Sequence, residues 1–228
     1  MTLLEILNNV LTQSSFLEKA SFTNNADVDD KQMVSIANRV AYEIMNYYDW
    51  GGLRQIGVIS LVEGSTQYQL PDDYQSYVPD SAWETDGSRK VDVPVDDATW
   101  YQYKFSSLTS GGTIRARFYG DFVQVIEPFD GGSFSYEYVT KYPIRGSEGA
   151  AKELFTKDSD TFILDDQLLI LGIQAHWQQA KLMPSYMEHM ANYMTKMTEA
   201  IGRSNAGQTI GGTPAMTRRD PYTKLWVR

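Results

Sequence analysis

The sequence predicts an α+β protein in which helices from both ends of the chain form a bundle and an antiparallel β-domain is inserted between them. Three observations support this fold class. Apolar residues recur at helical spacing toward both ends of the chain, and stretches rich in β-branched residues, with alternating patterns, lie in the middle. Residues 206–228 show neither pattern. Amphipathic helices bury their apolar faces, so the two helical ends are expected to pack together. The last segment is then an extended C-terminal arm.

The changes of pattern give the predicted domain boundaries. Residues 1–52 and 160–205 form the helical bundle, 53–159 form an inserted β-sandwich-like domain, and 206–228 form a docking arm. A chain of 228 residues, 42% of them hydrophobic, is large enough for such a core. No apolar run approaches the length of about 18 residues that a membrane-spanning helix needs, so no transmembrane helix is expected.

Two amphipathic stretches predict the N-terminal helices. Residues 2–12 place leucines and Val10 along one side of a short helix. In the longer helix that follows, six residues recur at helical spacing: Met33, Ile36, Ala37, Val40, Ile44 and Tyr47. Asp27, Asp29 and Asp30 offer it N-cap oxygens and first-turn negative charge. The paired glycines of DWGG are expected to end this helix.

The middle of the chain predicts short strands. RQIGVISLV and TQYQLP are expected to form a hairpin across the turn EGS, and GTIRARFYGDFVQVIEP a second hairpin around Gly120 and Asp121. GSFSYEYVTKYPI predicts a further strand, because its aromatic residues alternate with Ser135, Glu137 and Val139. DDATWYQYKF fits either a short helix or an irregular crossing.

Helical spacing returns from Asp165 onward. The first helix carries the stripe Leu169, Ile173, Trp177 and Ala180, and the sequence Met-Pro at 183–184 breaks it. In the second helix, the residues at intervals of three and four are Met187, Met190, Met194, Met197 and Ile201. This spacing is typical of the seam along which one helix packs on another, and methionine is an adaptable core residue. Gly202 is expected to end the helix.

Charge separates the arm from the rest of the chain. The whole chain carries −9, whereas residues 216–228 carry +3, which leaves −12 on residues 1–215. An acidic body repels nucleic acid and anionic membranes. The opposite signs therefore favour a protein partner for the arm, such as another copy with an acidic surface. A frayed terminus that is merely basic is the alternative.

Motifs for catalysis or for cofactor binding are not found. Cysteine is absent, which excludes disulfides and thiolate metal sites. His176 and His189 lie on different predicted helices, and the chain contains no HExxH, G-x-S-x-G or Walker-type motif. We therefore predict no catalytic, metal-binding or cofactor-binding residues, and no enzyme activity.

Two other functions stay open at the level of composition. A carboxylate-dependent glycan hydrolase needs only two acids in a cleft, and acids occur as neighbours at 72–73, 96–97 and 165–166. Turns and helix caps account more simply for each pair. A carbohydrate-binding module could use the aromatic residues between Trp83 and Phe105, for which we favour first a core, then a subunit interface, then sugar stacking.

The order of these elements resembles a virion family. An amphipathic helix ends in YEIMNYYDW, a Y-x-LP-x-D turn follows at Tyr68 to Asp73, and a hairpin leads to a tyrosine-rich strand, VQVIEPFDGGSFSYEYVTKYPI. The sequence F-x-x-DSD-x-F-I-L-D-D and two helices come next. Over about residues 30–205, this order is similar to the head-to-tail adaptors of tailed phages, especially short-tailed ones, also called head completion or tail tubular A-type proteins.

The resemblance implies a structural virion protein that is assembled in the host cytoplasm. Such proteins form a ring, typically of twelve subunits, beneath the portal, where they extend the DNA channel and offer a platform for tail attachment. The implied partners are the portal protein, identical subunits and downstream nozzle or tail-tube proteins, while DNA only passes through. Their C-terminal segment commonly reaches along the portal or a neighbouring subunit.

The arm supplies the candidate partner-binding residues. Aromatic and apolar side chains can anchor in pockets of the partner while cations steer the arm and fix its register. The residues are Arg218, Arg219, Tyr222, Lys224, Leu225, Trp226 and Arg228. The Gly/Thr/Pro stretch before them gives reach, and the arm is expected to become ordered on binding.

Overall fold

The computed structural model of the chain describes residues 1–87, 89–94, 96–105, 113–126 and 131–206. Within these residues the helices are α1 (Leu3–Gln13), α2 (Val28–Tyr47), α3 (Asp97–Phe105), α4 (Asp166–Ala180) and α5 (Tyr186–Ala206). The strands are β1 (Arg54–Ser60), β2 (Gln67–Gln69), β3 (Tyr74–Tyr77), β4 (Trp83–Glu84), β5 (Ala116–Tyr119), β6 (Phe122–Val125), β7 (Ser133–Thr140), β8 (Ile144–Arg145), β9 (Ala151–Lys152) and β10 (Thr161–Phe162). The predicted α+β class is confirmed.

Contacts along the chain define two units. Met1–Leu53 and the described residues from Tyr142 onward form the helical unit, and Arg54–Lys141 forms the β-unit. Residues 142–159, which the sequence prediction assigned to the inserted domain, group here with the helices, where β8 pairs with β9 and β10. The predicted domain boundaries stay a prediction.

The helical unit is built around α4. This helix packs against α1, α2 and α5, and its buried residues lie almost all around its circumference. Leu169, Ile173 and Trp177 of the predicted stripe are buried, while Ala180 at the last turn is exposed. At Gly172 the neighbouring helices approach closely. A Cβ atom there would lie 2.5 Å from Cγ1 of Val40 and 2.9 Å from Cε2 of Tyr193, so only glycine fits.

The rotation of α5 differs from the predicted methionine seam. Met187 is 69% exposed and Met194 is 42% exposed, whereas Tyr193 and Met197 are buried. Glycine at position 172 leaves room for the Tyr193 ring, and this contact turns α5 about its axis relative to the prediction. The helix also continues through Gly202 to Ala206 instead of ending at that glycine.

The acidic loop at 158–160 fastens α1 and the chain after it. The first N–H groups of α1, from Leu3 and Leu4, donate to the backbone oxygens of Asp160 and Asp158 at 2.7 and 3.1 Å. The carboxylate of Asp158 accepts from the Ser21 hydroxyl and from the N–H groups of Phe22 and Thr23. These bonds satisfy donors that a helix start and a turn leave free.

Asp160 itself is fully buried and saturated with donors. Its carboxylate accepts from Nζ of Lys152 at 2.7 and 2.9 Å and from the N–H groups of Thr156 and Lys157 at 2.8 and 2.9 Å. Burial alone would raise the pKa of Asp160, but the bonds from Lys152 and the backbone outweigh it, and the pKa is lowered.

The β-unit holds two antiparallel sheets that share one core. The first has the order β1-β7-β3, with β4 also paired to β7, and the second has the order β2-β6-β5. Side chains of both sheets meet in the core, where Phe118 stacks on Tyr77 at 4.2 Å and tilts against Tyr136 at 4.9 Å between ring centroids. The alternation of Phe134, Tyr136 and Tyr138 along β7 therefore points these three rings inward, as predicted.

The predicted pairing of β1 with β2 is wrong. β1 pairs with β7 along its whole length, and β2 pairs with β6 in the other sheet. The connection crosses between the sheets, and the hydroxyl of Tyr68 holds it by accepting from Val62 N–H at 3.1 Å and donating to the Ser65 oxygen at 3.0 Å. The hairpin of β5 and β6 is confirmed. Its turn places Gly120 at φ +58°, in the region that favours glycine.

Substituting Gly172 should destabilise the bundle. We expect Gly172→Ala to cost about 1–3 kcal/mol because the new methyl overlaps Val40 and Tyr193. Gly202→Ala is the matched control, since nothing lies within 4 Å of its Cβ position, and it should stabilise α5 by about 0.5–1 kcal/mol. Urea unfolding of both variants measures this, and equal effects would contradict the packing role of Gly172.

Removing the Asp160 carboxylate should destabilise the fold in a pH-dependent way. Because the folded pKa lies below the unfolded value, the ionised form stabilises the protein above about pH 4, and this contribution disappears as pH falls below that value. We expect Asp160→Asn to cost about 3–5 kcal/mol at pH 7 and less at pH 3, measured by urea midpoints. Asp80→Asn, in a surface ion pair with Lys90, should change stability by less than about 1 kcal/mol.

Candidate assembly surface

The predicted partner-binding residues of the arm lie outside the described residues. The structure therefore does not test the predicted roles of Arg218, Tyr222 and Trp226. What it describes is the exterior of the β-unit, where large apolar and aromatic side chains are exposed. They are Ile56, Val58, Val62, Trp83, Tyr101, Phe105, Tyr119 and Phe122. The helical unit also exposes such side chains, among them Leu17, Val28 and Leu182. Where they adjoin one another, exposed apolar side chains are typical of surfaces that bind protein.

The aromatic residues between 83 and 105 divide between core and surface. Trp100 is buried, as the first-ranked interpretation requires. The other rings do not form a core: Trp83 and Tyr101 are exposed, and Phe105 is 78% exposed while stacked on Tyr101 at 6.1 Å between centroids. For these exposed rings the core that we ranked first is wrong, and the subunit interface and sugar stacking stay predictions.

Arg117 on β5 anchors α3 to the second sheet. Its guanidinium lies 4.9 Å from the ring centroid of Trp100 and 4.8 Å from that of Tyr119, and it donates to Oδ1 of Asp97 at 2.8 Å and Oε1 of Gln124 at 2.9 Å. A planar cation can stack between rings and bond to two acceptors at once, which an ammonium group cannot do. The Arg117 cluster therefore fixes the exposed rings of α3 beside those of the β5–β6 hairpin.

Strand β1 forms an edge of the first sheet. Ile56 is 73% exposed and Val58 is 57% exposed, on the face opposite the core. Across β7, Val58 and Trp83 are both register partners of Ser135, so these three residues lie in one row on this face. The inner face at Gly57 is closed instead by the ring of Tyr136, with which any Cβ would collide.

The three acidic pairs serve turns and helix caps, as the simpler interpretation predicted. Asp165 caps α4 by accepting from the N–H of Gln167 at 2.9 Å, and Asp96 caps α3 by accepting from the N–H of Thr99 at 2.7 Å. The bond from Thr99 lowers the pKa of Asp96. Asp73 accepts from the hydroxyls of Tyr138 and Thr140 and so ties β3 to β7.

His176 on α4 has a carboxylate partner on α2. His176 places Nε2 3.2 Å from Oε2 of Glu43, and this bond lowers the pKa of Glu43 in spite of burial, while the Tyr193 hydroxyl donates to the same carboxylate at 3.4 Å. Among the described residues, no cluster of three or more His, Cys, Asp or Glu side chains could hold a metal ion. The described helices also include none that is long and apolar enough to cross a membrane.

The motifs behind the family resemblance have structural roles. Trp50, in the sequence YYDW, folds back so that Nε1 donates to the Ile44 oxygen at 2.6 Å and satisfies a carbonyl at the end of α2. Tyr68 and Asp73 hold the crossing and the β3–β7 pair, and the DSD sequence holds α1. Each of these residues therefore stabilises the unit in which it lies.

Sequence reasoning missed Arg117 and the exposed face of β1. The alternation in RQIGVIS was a usable signal, because Ile56 and Val58 make the second face of a strand as apolar as the first. No sequence signal joined Arg117 to Trp100 and Asp97, since long-range packing creates that cluster.

Comparison with known families agrees with this architecture. A family model described as SU10 adaptor protein matches residues 1–219. The chain belongs to the SU10 adaptor protein family, and the predicted resemblance to phage head-to-tail adaptors is confirmed. It is a phage adaptor protein, a structural component of the virion. A comparison with curated proteins gives no match.

Removing the guanidinium of Arg117 should loosen α3. We expect Arg117→Lys to speed amide hydrogen exchange in Asp97–Phe105 and to destabilise the β-unit by about 1–3 kcal/mol, because the stacked cation and its two acceptors are lost. Mass spectrometry of exchanged peptides measures the first effect and urea unfolding the second. Lys90→Ala, at a surface ion pair, serves as control, and equal exchange in both variants would contradict the anchoring role.

Proposed function

We propose that this protein forms a ring, typically of twelve copies, beneath the portal of the phage head. In that position the ring extends the DNA channel and offers the platform on which nozzle or tail-tube proteins assemble. Membership of the adaptor family over residues 1–219 carries this proposal. The exposed rings and apolar side chains of the β-unit support it, since a subunit of a closed ring needs contact surfaces on two sides.

The charge distribution supports the same role. Residues 1–215 carry −12, so a channel lined by this body would repel DNA phosphates and let the DNA slide without adhesion. The arm, with +3 on residues 216–228, is attracted to acidic protein surfaces. In this proposal DNA passes through the channel without being bound, and the binding partners are proteins.

The arm is the proposed docking segment. Tyr222, Leu225 and Trp226 anchor it on the portal or on a neighbouring subunit, while its cations steer it: Arg218, Arg219, Lys224 and Arg228. The matched residues end at 219, so they include Arg218 and Arg219 and stop before the aromatic anchors. Docking of this kind adds contact area without requiring the folded units to change shape.

Deleting residues 213–228 should abolish assembly without unfolding the protein. We expect the shortened chain to keep its circular dichroism and urea midpoint but to fail to join portal rings in electron-microscopy class averages. Trp226→Ala should weaken joining in the same direction, by about 2 kcal/mol or more if it is a hot spot, whereas Thr223→Ala should have little effect. Normal joining by the shortened chain would overturn the docking role of the arm.

A further inference from the structure

The free edge of β1 presents unused hydrogen-bonding groups. Leu61, directly after β1, donates its N–H to the Gly132 oxygen at 2.9 Å, which fixes the direction of every second residue in the strand. Gly57 and Ile59 therefore point their backbone groups toward β7, and Ile56 and Val58 point theirs to the open side. No described residue donates to or accepts from these outward groups, and β1 ends the strand order of its sheet.

This edge lacks the features that usually protect an edge strand. It is seven residues long, contains no proline or lysine, and carries two exposed β-branched residues on its solvent face. Natural proteins shorten, charge or cover such edges because they otherwise recruit further strands. A seven-residue edge whose charged residue is Arg54 at its start is therefore a place where another strand is expected to add.

The end of the arm has a composition that favours a β-strand. Residues 222–227 read YTKLWV, in which four of the six residues are β-branched or aromatic. Together with Arg228 the run matches the seven residues of β1 in length. Glu137, the register partner of Ile56, is 45% exposed, and its carboxylate lies 3.8 Å from Nη1 of Arg54, so the exposed face of β1 carries one carboxylate and one guanidinium.

We propose that residues 222–228 of one copy add as a further strand to the free edge of β1 in the neighbouring copy. This inference rests on the proposed ring and specifies where the arm docks within it. Backbone hydrogen bonds to Ile56 and Val58 supply the pairing, and the exposed side chains of those residues contact one face of the arm. Each copy in a closed ring then donates one arm and covers one edge.

The absence of cysteine permits a direct test by disulfide formation. Single-cysteine proteins carrying Val58→Cys are mixed with proteins carrying either Leu225→Cys or Lys224→Cys, assembled on portal rings and oxidised. Because successive side chains of a strand point to opposite faces, a disulfide-linked dimer should form with one arm position and not with the other. Mixing separately expressed variants detects only links between copies.

Two controls complete the experiment. Val28→Cys, another exposed valine but on α2, should give no dimer with either arm cysteine. Val58→Pro, in an otherwise unchanged full chain, removes one outward N–H and should abolish joining while the circular dichroism is kept, because proline is tolerated at such edge positions.

Three results would overturn the strand addition. Rings that assemble without any link to Val58→Cys overturn the strand addition and leave the proposed function standing. Equal links from both arm positions show a nearby but unpaired arm and also overturn it. If the unmodified protein does not join portal rings, the proposed function fails and this inference fails with it.

Discussion

The close approach of three helices at Gly172 is the constraint on which the helical unit depends. With no side chain at this position, Val40 of α2 and Tyr193 of α5 both reach the backbone of α4. That contact fixes the rotation of α5, which turns Met187 and Met194 outward and places Tyr193 within reach of Glu43. Since α5 leads directly into the arm, the same contact sets the helix from which the arm departs.

Buried carboxylates hold the ends of this bundle in place. The DSD loop, which precedes α4, binds the start of α1 and the turn after residue 20, both of them far from it in the sequence. Both carboxylate oxygens of Asp160 accept hydrogen bonds, so an ion pair and backbone donors offset the free-energy cost of burying its charge. Acidic residues that resemble catalytic pairs in the sequence are therefore explained by structure. This agrees with an adaptor protein, whose work is to join other proteins.

The exterior of the β-unit exposes apolar side chains that its core does not use. Its core is closed by stacked rings, yet Ile56, Val58 and Phe105 stay exposed, and Arg117 fixes further rings at the surface. Exposed side chains of this kind are available for contacts with other proteins. In the strand addition that we propose, the basic arm of one copy covers the free edge of β1 in the next.

The sequence by itself determined the α+β class, the positions of the helices, the β5–β6 hairpin, the inward face of β7 and the resemblance to phage adaptors. These follow from local periodicity, turn chemistry and motif order, which neighbouring residues carry. Only the tertiary structure decided that β1 pairs with β7, that α5 buries Tyr193 in place of Met194, and that Arg117 anchors α3. Such choices depend on residues distant in the chain, and periodicity along one segment holds no information about the partner that packs against it.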